Sequence, residues 1–80
     1  MTTHLLRLPE VERLTGLKRS TLYLRQLARL FPRPLSIGPR AVAWPAHEVE
    51  AINQARIAGK SDDEIRAVVL KLEADRKGAA

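Results

Sequence analysis

The chain has 80 residues, which suffices for one small hydrophobic core and excludes two independent domains. It contains no cysteine and only two histidines, so a disulfide framework is excluded and a metal site has almost no candidate ligands. Its formal net charge is +5. Because it has neither a signal-peptide apolar region nor an apolar run long enough to span a bilayer, we expect a cytoplasmic protein with no membrane partner.

The positive charge is concentrated in the first three quarters of the chain. Residues 1–60 hold ten Lys or Arg and four Asp or Glu, whereas residues 61–80 hold four and five. The interval between Glu12 and Glu48 contains no acidic residue but seven basic ones: Arg13, Lys18, Arg19, Arg25, Arg29, Arg33 and Arg40. This distribution favours a polyanionic partner over an ordinary solvated face, without excluding the latter.

A short helix is predicted near the N-terminus. Residues 5–8 form an extended segment, and a helix over residues 9–14 follows, with Pro9 at its first position, where a missing N–H costs nothing. Gly16 lies just past the end of this helix, where a positive φ is common.

A second helix follows the turn around Gly16. Its N-cap is Arg19 or Ser20, and it extends to Arg29 or Leu30 before two prolines stop it. Two short helices joined by a turn that contains glycine form the helix-turn-helix plan. In that plan the N-terminal residues of the second helix face the major groove of DNA.

Two short strands are predicted next. Residues 35–37 and 41–44 flank the tight turn Gly38-Pro39-Arg40, a pattern that predicts a small hairpin of the kind called a wing. The predicted fold class is therefore mainly α with a small β-hairpin wing, a winged helix-turn-helix domain over residues 1–60.

Two further helices complete the predicted order. The third starts at Pro45 and ends near Gly59, and Ser61 and Glu64 form a capping box for the fourth. The C-terminal amphipathic helix, residues 61–80, either belongs to the same compact unit or is an oligomerisation element. Its apolar stripe, which fits both possibilities, consists of Ile65, Val68, Val69 and Leu72.

Candidate DNA contacts follow from the helix-turn-helix plan. A guanidinium group can bind guanine through two hydrogen bonds, hydroxyl groups can bind phosphates or bases, and a helix N-terminus attracts phosphate. On a wing, Arg40 would enter the minor groove, where narrow A·T stretches concentrate negative potential, and Arg33 would hold a phosphate nearby. The candidate DNA-contacting set is Lys18, Arg19, Ser20, Thr21, Tyr23, Arg25, Arg33, Gly38, Pro39 and Arg40.

Several of these residues also have simpler roles. Tyr23 either contacts the DNA backbone or covers the small core, Arg40 either enters a groove or solubilises its turn, and Trp44 is predicted to lie in the core beneath the wing. His4 and His47 are far apart in the chain, and no serine lies in a nucleophile motif. We therefore expect neither an enzyme nor a cofactor.

The chain resembles the AlpA family of phage and integrative-element regulators in three strings, LRLPEVERLTGLKRSTLY, FPRPLSIGPRAVAW and HEVEAI. That family comprises small winged helix-turn-helix proteins similar to excisionases and to the MerR-type DNA-binding domain. The resemblance covers residues 4–58. It implies a recognition helix over residues 19–29 that contains Arg19, Ser20, Thr21 and Tyr23, and a wing over residues 38–41.

The resemblance also implies function and partners. Members act as transcriptional regulators of integrase-linked genes or as directionality factors that promote excision. Double-stranded DNA is the implied partner, with self-association on adjacent DNA sites and an integrase as further expected partners.

Three positions depart from the family pattern. Leu24 stands where a polar residue is frequent, Arg29 where glycine precedes Phe-Pro, and Ile52 where tryptophan is frequent. These differences predict that the second helix ends differently and that Leu24 or Leu30 is exposed to a partner.

Two hypotheses from different classes remain at this point. In the first, the chain is a sequence-specific DNA-binding protein of a mobile element, acting in transcription, in excision or in both. In the second, it is a protein-interaction module or inhibitor that uses the C-terminal helix and exposed leucines, with only non-specific affinity for DNA.

Overall fold

The computed structural model describes residues 4–78 and confirms a mainly helical fold with a small antiparallel sheet, consistent with a winged helix-turn-helix. Residues 1–3 and 79–80, which the predicted segments include, lie outside the described residues. The elements in chain order are β1 (Leu5–Leu6), α1 (Leu8–Thr15), α2 (Arg19–Leu27), β2 (Leu35–Gly38), β3 (Ala41–Pro45), α3 (Ala46–Ile57) and α4 (Asp62–Gly78).

The sheet has three strands in the order β1-β3-β2, one more than the predicted hairpin. In β1, Leu6 lies opposite Trp44 of β3, and the N–H of Ala46 donates to the carbonyl of His4 at 2.7 Å. The extended segment predicted at residues 5–8 therefore includes an edge strand. A two-residue strand carries too little alternation for the sequence to reveal its partner.

The turn between α1 and α2 is closed by backbone and hydroxyl hydrogen bonds. Gly16 has a φ of 72°, and its N–H donates to the carbonyl of Glu12 at 2.9 Å. The Thr15 hydroxyl donates to the carbonyl of Val11 at 2.7 Å and accepts the N–H of Leu17 at 3.2 Å. Glycine at this position is the C-cap that the sequence predicted.

Helix α2 is shorter than predicted at its C-terminal end, and its N-cap is Lys18 rather than Arg19 or Ser20. It ends in a Schellman motif, because the N–H of Leu30 donates to the carbonyl of Arg25 at 2.8 Å while Arg29 takes a φ of 63°. Glycine is the usual residue at this left-handed position. Arg29, one of the three departures from the family pattern, is thus the residue that ends the helix.

Replacing Arg29 with glycine should raise the free energy of unfolding by about 1 kcal/mol. The left-handed conformation is strained for a residue with a Cβ and is free of that strain for glycine, and the Arg29 side chain is exposed. Chemical denaturation of Arg29→Gly and the unsubstituted protein measures the difference.

The end of α3 supplies a matched control for this substitution. Gly59 has a φ of 73° in the same motif, with the N–H of Lys60 donating to the carbonyl of Ala55 at 3.0 Å and nothing within 4 Å of an added Cβ. The reverse change, Gly59→Arg, should therefore destabilise by a similar amount. A loss of stability in Arg29→Gly would instead show that the arginine side chain supports the fold.

The core lies beneath the wing and is built largely of aliphatic residues, with two aromatic rings in contact. Phe31 and Trp44 pack edge to face with ring centroids 6.2 Å apart, and the indole N–H of Trp44 donates to the carbonyl of Pro32 at 3.0 Å. Leu22 of α2 is buried against them. Trp44 is thus the core residue that the sequence predicted, and its one polar atom has a partner.

The helix α4 packs onto the core of its own chain. Ile65 and Val69 are buried there, and Val68 and Leu72 are partly buried against it. Ile65 and Val69 therefore pack within the chain, whereas Val68 and Leu72 keep part of their surface accessible. A role of this stripe in oligomerisation stays a prediction.

The start of α4 has the capping box that the sequence predicted. The N–H of Ser61 donates to Oε1 of Glu64 at 2.9 Å, and the N–H of Glu64 donates to the Ser61 hydroxyl at 3.2 Å. These hydrogen bonds, the one from the Ser61 backbone first, lower the pKa of the Glu64 carboxyl.

Candidate nucleic-acid interface

One face of α2 points away from the core. Successive residues of a helix are about 100° apart, so Ser20, Leu24 and Leu27 lie opposite the buried Leu22, and Tyr23 lies at the edge of the same face. All four are exposed: Tyr23 retains 59% of its accessible surface, Leu24 66% and Leu27 80%. We call these four residues the outer face of α2. It is the surface that a helix-turn-helix would present to the major groove.

A cleft runs between α2 and the base of the wing. Arg19, Tyr23 and Gln26 line it from the helix, and Pro34 and Val42 line it from the linker and β3. Arg19 is exposed at the N-terminal end of α2, and the neighbouring Lys18 is exposed as well. Two predicted basic contacts therefore lie next to the outer face.

The N-terminus of α2 already holds a carboxylate. Oε2 of Glu12 accepts the N–H of Arg19 at 2.9 Å. The sequence suggested that this helix end would attract phosphate, but a phosphate at this N–H would have to compete with Glu12. Glu12 instead links α1 to the N-terminus of α2, where a carboxylate is favourable.

Two of the predicted contacts lie on a flank of α2 rather than on its outer face. Thr21 and Arg25 line a depression that also includes Leu30 and Asp62 at the start of α4. The Nε of Arg25 is buried and has no hydrogen-bond partner within residues 4–78. Of Leu24 and Leu30, one of which was expected to be exposed, Leu24 is exposed and Leu30 is partly buried against the core.

The wing turn carries an exposed arginine in a strained conformation. Pro39 and Arg40 are exposed at the tip, and Arg40 has a φ of 58°. Within residues 4–78, the non-glycine residues with positive φ are Arg29 and Arg40. Gly38, at the start of the turn, does not have a positive φ. The turn therefore places its left-handed conformation on the arginine, and strained backbone of this kind is often found at functional sites.

The linker between α2 and the wing is held by α4. The N–H of Arg33 donates to Oε2 of Glu73 at 2.8 Å, and its carbonyl accepts Nη2 of Arg76 at 2.7 Å. The Arg33 side chain stays exposed, in a cleft shared with Tyr23 and Arg29. Two cations therefore border the outer face at its C-terminal end, and α4 fixes the backbone of one of them.

Arg76 also neutralises a buried carboxylate. Glu48 of α3 is 0% exposed, and its Oε2 accepts the Nε of Arg76 at 2.8 Å while Oε1 accepts Nη2. The hydrogen bond with Glu48 raises the pKa of Arg76. One guanidinium thus joins α4 to α3 and to the linker that carries Arg33.

The end of α1 is held by side chains of α3. The Nδ2 of Asn53 donates to the carbonyl of Leu14 at 2.9 Å, and the Nη1 of Arg56 donates to the carbonyl of Thr15 at 2.9 Å. These bonds satisfy carbonyls that a helix C-terminus leaves free. Arg56 therefore supports the turn between α1 and α2 rather than extending the basic surface.

Three residues that were not among the predicted contacts lie beside them: Gln26, Leu27 and Arg29. They line the cleft that contains Tyr23 and Arg33. Helical spacing would have placed Leu27 on the face of Tyr23 and Leu24, but an exposed leucine is not expected from its hydrophobicity.

Comparisons with known proteins identify the family of this chain. Residues 4–57 match the family described as prophage CP4-57 regulatory protein (AlpA). An uncharacterized protein, ORF88 of Enterobacteria phage P4, is 47% identical over 55 residues, which cover 69% of this chain and 62% of the relative. The chain thus matches less than two thirds of that relative's length. No solved structure matches the chain. Within residues 4–78, no helix has both the length and the apolar character needed to cross a membrane.

Proposed function

The chain belongs to the AlpA family of prophage regulatory proteins, and on this premise we propose that it is a sequence-specific DNA-binding protein of a mobile element. It would act as a transcriptional regulator, as an excisionase, or as both. The recognition helix α2 enters the major groove, and the wing turn at residues 38–41 enters the minor groove.

The proposal is supported by one arrangement: an exposed helix face lies between cations at both of its ends. The outer face of α2 has Lys18 and Arg19 at its N-terminal end and Arg29 and Arg33 at its C-terminal end, all four exposed. A polyanion that lies across this helix would contact positive charge on either side of the surface proposed to read its sequence.

The proposed contacts divide into base readout and phosphate binding. Arg19 would reach a base edge, where a guanidinium binds guanine through O6 and N7. Arg29 and Arg33 would neutralise phosphates, which fixes the register without reading sequence. Arg40 would extend from the wing into the minor groove, where narrow A·T stretches attract arginine.

The competing hypothesis of a protein-interaction module has less support. Ile65 and Val69 of the apolar stripe of α4, which such a module would use, are buried in the core. The remaining version, in which exposed leucines bind a protein, predicts weak DNA association that is blind to sequence.

A gel-shift experiment tests the proposal. The purified protein is mixed with DNA that flanks its own gene, the nearest integrase gene and the attachment site, with unlabelled non-specific competitor and a series of salt concentrations. Discrete complexes that resist competitor are the expected result, and the number of steps gives the number of copies bound. A smear that vanishes with modest salt would contradict sequence-specific binding.

A pair of variants makes the assay specific for the proposed surface. Arg40→Ala should weaken the specific complex, whereas Lys71→Ala, which removes an exposed cation from α4, should leave it unchanged. Equal losses in both variants would mean that only total charge matters. If a specific complex forms, promoter-reporter assays then test the role in transcription and excision assays test the role as an excisionase.

A further inference from the structure

The outer face of α2 is unusually apolar for a surface exposed to water. Leu27 retains 80% of its accessible surface and Leu24 66%, and they lie one helical turn apart. Exposed apolar side chains that form a continuous stripe usually have a partner, because their burial releases free energy in proportion to the area covered.

The surroundings of the stripe indicate what that partner is. Among the described residues, the two clefts on the Tyr23 side contain Arg19 in one and Arg29 and Arg33 in the other and no Asp or Glu, whereas the depression beside Leu24 contains both Arg25 and Asp62. A partner for this face must therefore combine apolar groups with negative charge along the Tyr23 side, where the exposed cations are not balanced by acidic residues. The major groove of DNA does so, since phosphates border it on both sides and the thymine 5-methyl is the apolar group on its base edges.

We propose that Leu24 and Leu27 read thymine by packing against its methyl group. The inference rests on the proposed function and adds to it the class of base pair that this face selects. The target would carry thymines opposite the middle and C-terminal part of α2, with the arginine-contacted base opposite its N-terminal end. Cytosine, which has a hydrogen in place of the methyl, would be disfavoured at the same positions.

Deoxyuridine provides the test, because it keeps the base pairing of thymine and lacks only the methyl group. Within the shortest specific DNA site, each thymine is replaced in turn, and Kd is measured by fluorescence anisotropy. One or two replacements should weaken binding about fourfold each, the loss expected for one buried methyl group. Replacements outside the contacted positions should have no effect.

Protein variants assign the effect to the two leucines. Leu24→Ala and Leu27→Ala should each bind the thymine site more weakly and lose sensitivity to one deoxyuridine position. Leu70→Ala is the matched control, since Leu70 of α4 is 67% exposed and lies outside the outer face. Far-UV circular dichroism confirms that each variant is folded, as expected for exposed positions.

The outcomes distinguish this inference from the function on which it rests. Specific binding that is insensitive to every deoxyuridine would overturn thymine reading and leave the proposed function standing. Sensitivity to deoxyuridine that persists in both leucine variants would overturn the assignment to Leu24 and Leu27. Loss of stepwise assembly in those variants, with unchanged single-site affinity, would show a protein contact instead. Absence of any specific complex would overturn both proposals.

Discussion

Replacing Arg76 with alanine should lower the free energy of unfolding by about 3–5 kcal/mol, the usual result of removing one partner from a buried ion pair. Glu48 is fully buried, and both of its carboxylate oxygens accept hydrogen bonds from Arg76. Without the guanidinium, a charged carboxylate would remain in the core with no partner. Because small domains have little stability to lose, urea denaturation should find much of this variant unfolded under mild conditions.

Two comparisons distinguish the loss of the buried ion pair from the general effect of removing an arginine side chain. Arg66 of α4 also binds a backbone carbonyl, that of Ala28 at 2.9 Å, but its ion pair with Asp63 is exposed, so Arg66→Ala should cost about 1 kcal/mol or less. The double variant Glu48→Leu with Arg76→Leu should recover most of the lost stability, because apolar replacement of both partners leaves no unpaired charge. A loss under about 1 kcal/mol in Arg76→Ala would show that water or another group compensates Glu48.

The same substitution bears on DNA binding through the linker. Arg76 holds the carbonyl of Arg33, so its loss should free the segment that joins α2 to the wing. If the variant is studied under conditions where it is folded, its affinity for the specific site should fall more than that of Arg66→Ala. The helix α4, which lies beyond the residues matched by the family, would then support the position of the interface without touching DNA.

The local features of this fold were predictable from the sequence because their causes are local. Pro9 marks a helix start, Gly16 a helix end, and Ser61 with Glu64 a capping box, and each signal acts within one turn of the chain. The hairpin around Gly38-Pro39-Arg40 is of the same kind. These signals sufficed for the order of the helices and the wing, and helix ends were misplaced only by a few residues.

Features that depend on distant residues could not be predicted. Glu48 and Arg76 are 28 positions apart, and a glutamate in an amphipathic helix is ordinarily expected to be exposed. Likewise, the stripe on α4 has clear helical spacing, but spacing alone does not say whether the chain itself or a second copy covers it. The exposure of Leu27 depends on which face of α2 packs against the core, and that again is decided by tertiary contacts.

Arg19→Ala and Arg33→Ala should weaken DNA binding in two different ways. If Arg19 contacts a base, its loss should cost about 1–3 kcal/mol on the specific site and relax the preference at one base pair. Arg33→Ala should weaken binding to specific and non-specific DNA alike and reduce the salt slope by about one unit, because it removes one phosphate contact. The measurement is Kd on the specific site, on each single-base variant of it and on unrelated DNA, across a salt series.

The structure makes this pair a clean comparison. The backbone N–H of Arg19 bonds to Glu12, and both backbone groups of Arg33 bond to α4, so neither truncation removes a hydrogen bond that supports the fold. Both side chains are exposed, and each variant removes one positive charge from the same surface. A difference between them must therefore come from position rather than from charge. Equal, small losses with unchanged base preference would count against base readout by Arg19 and would reduce the N-terminal end of α2 to electrostatic attraction.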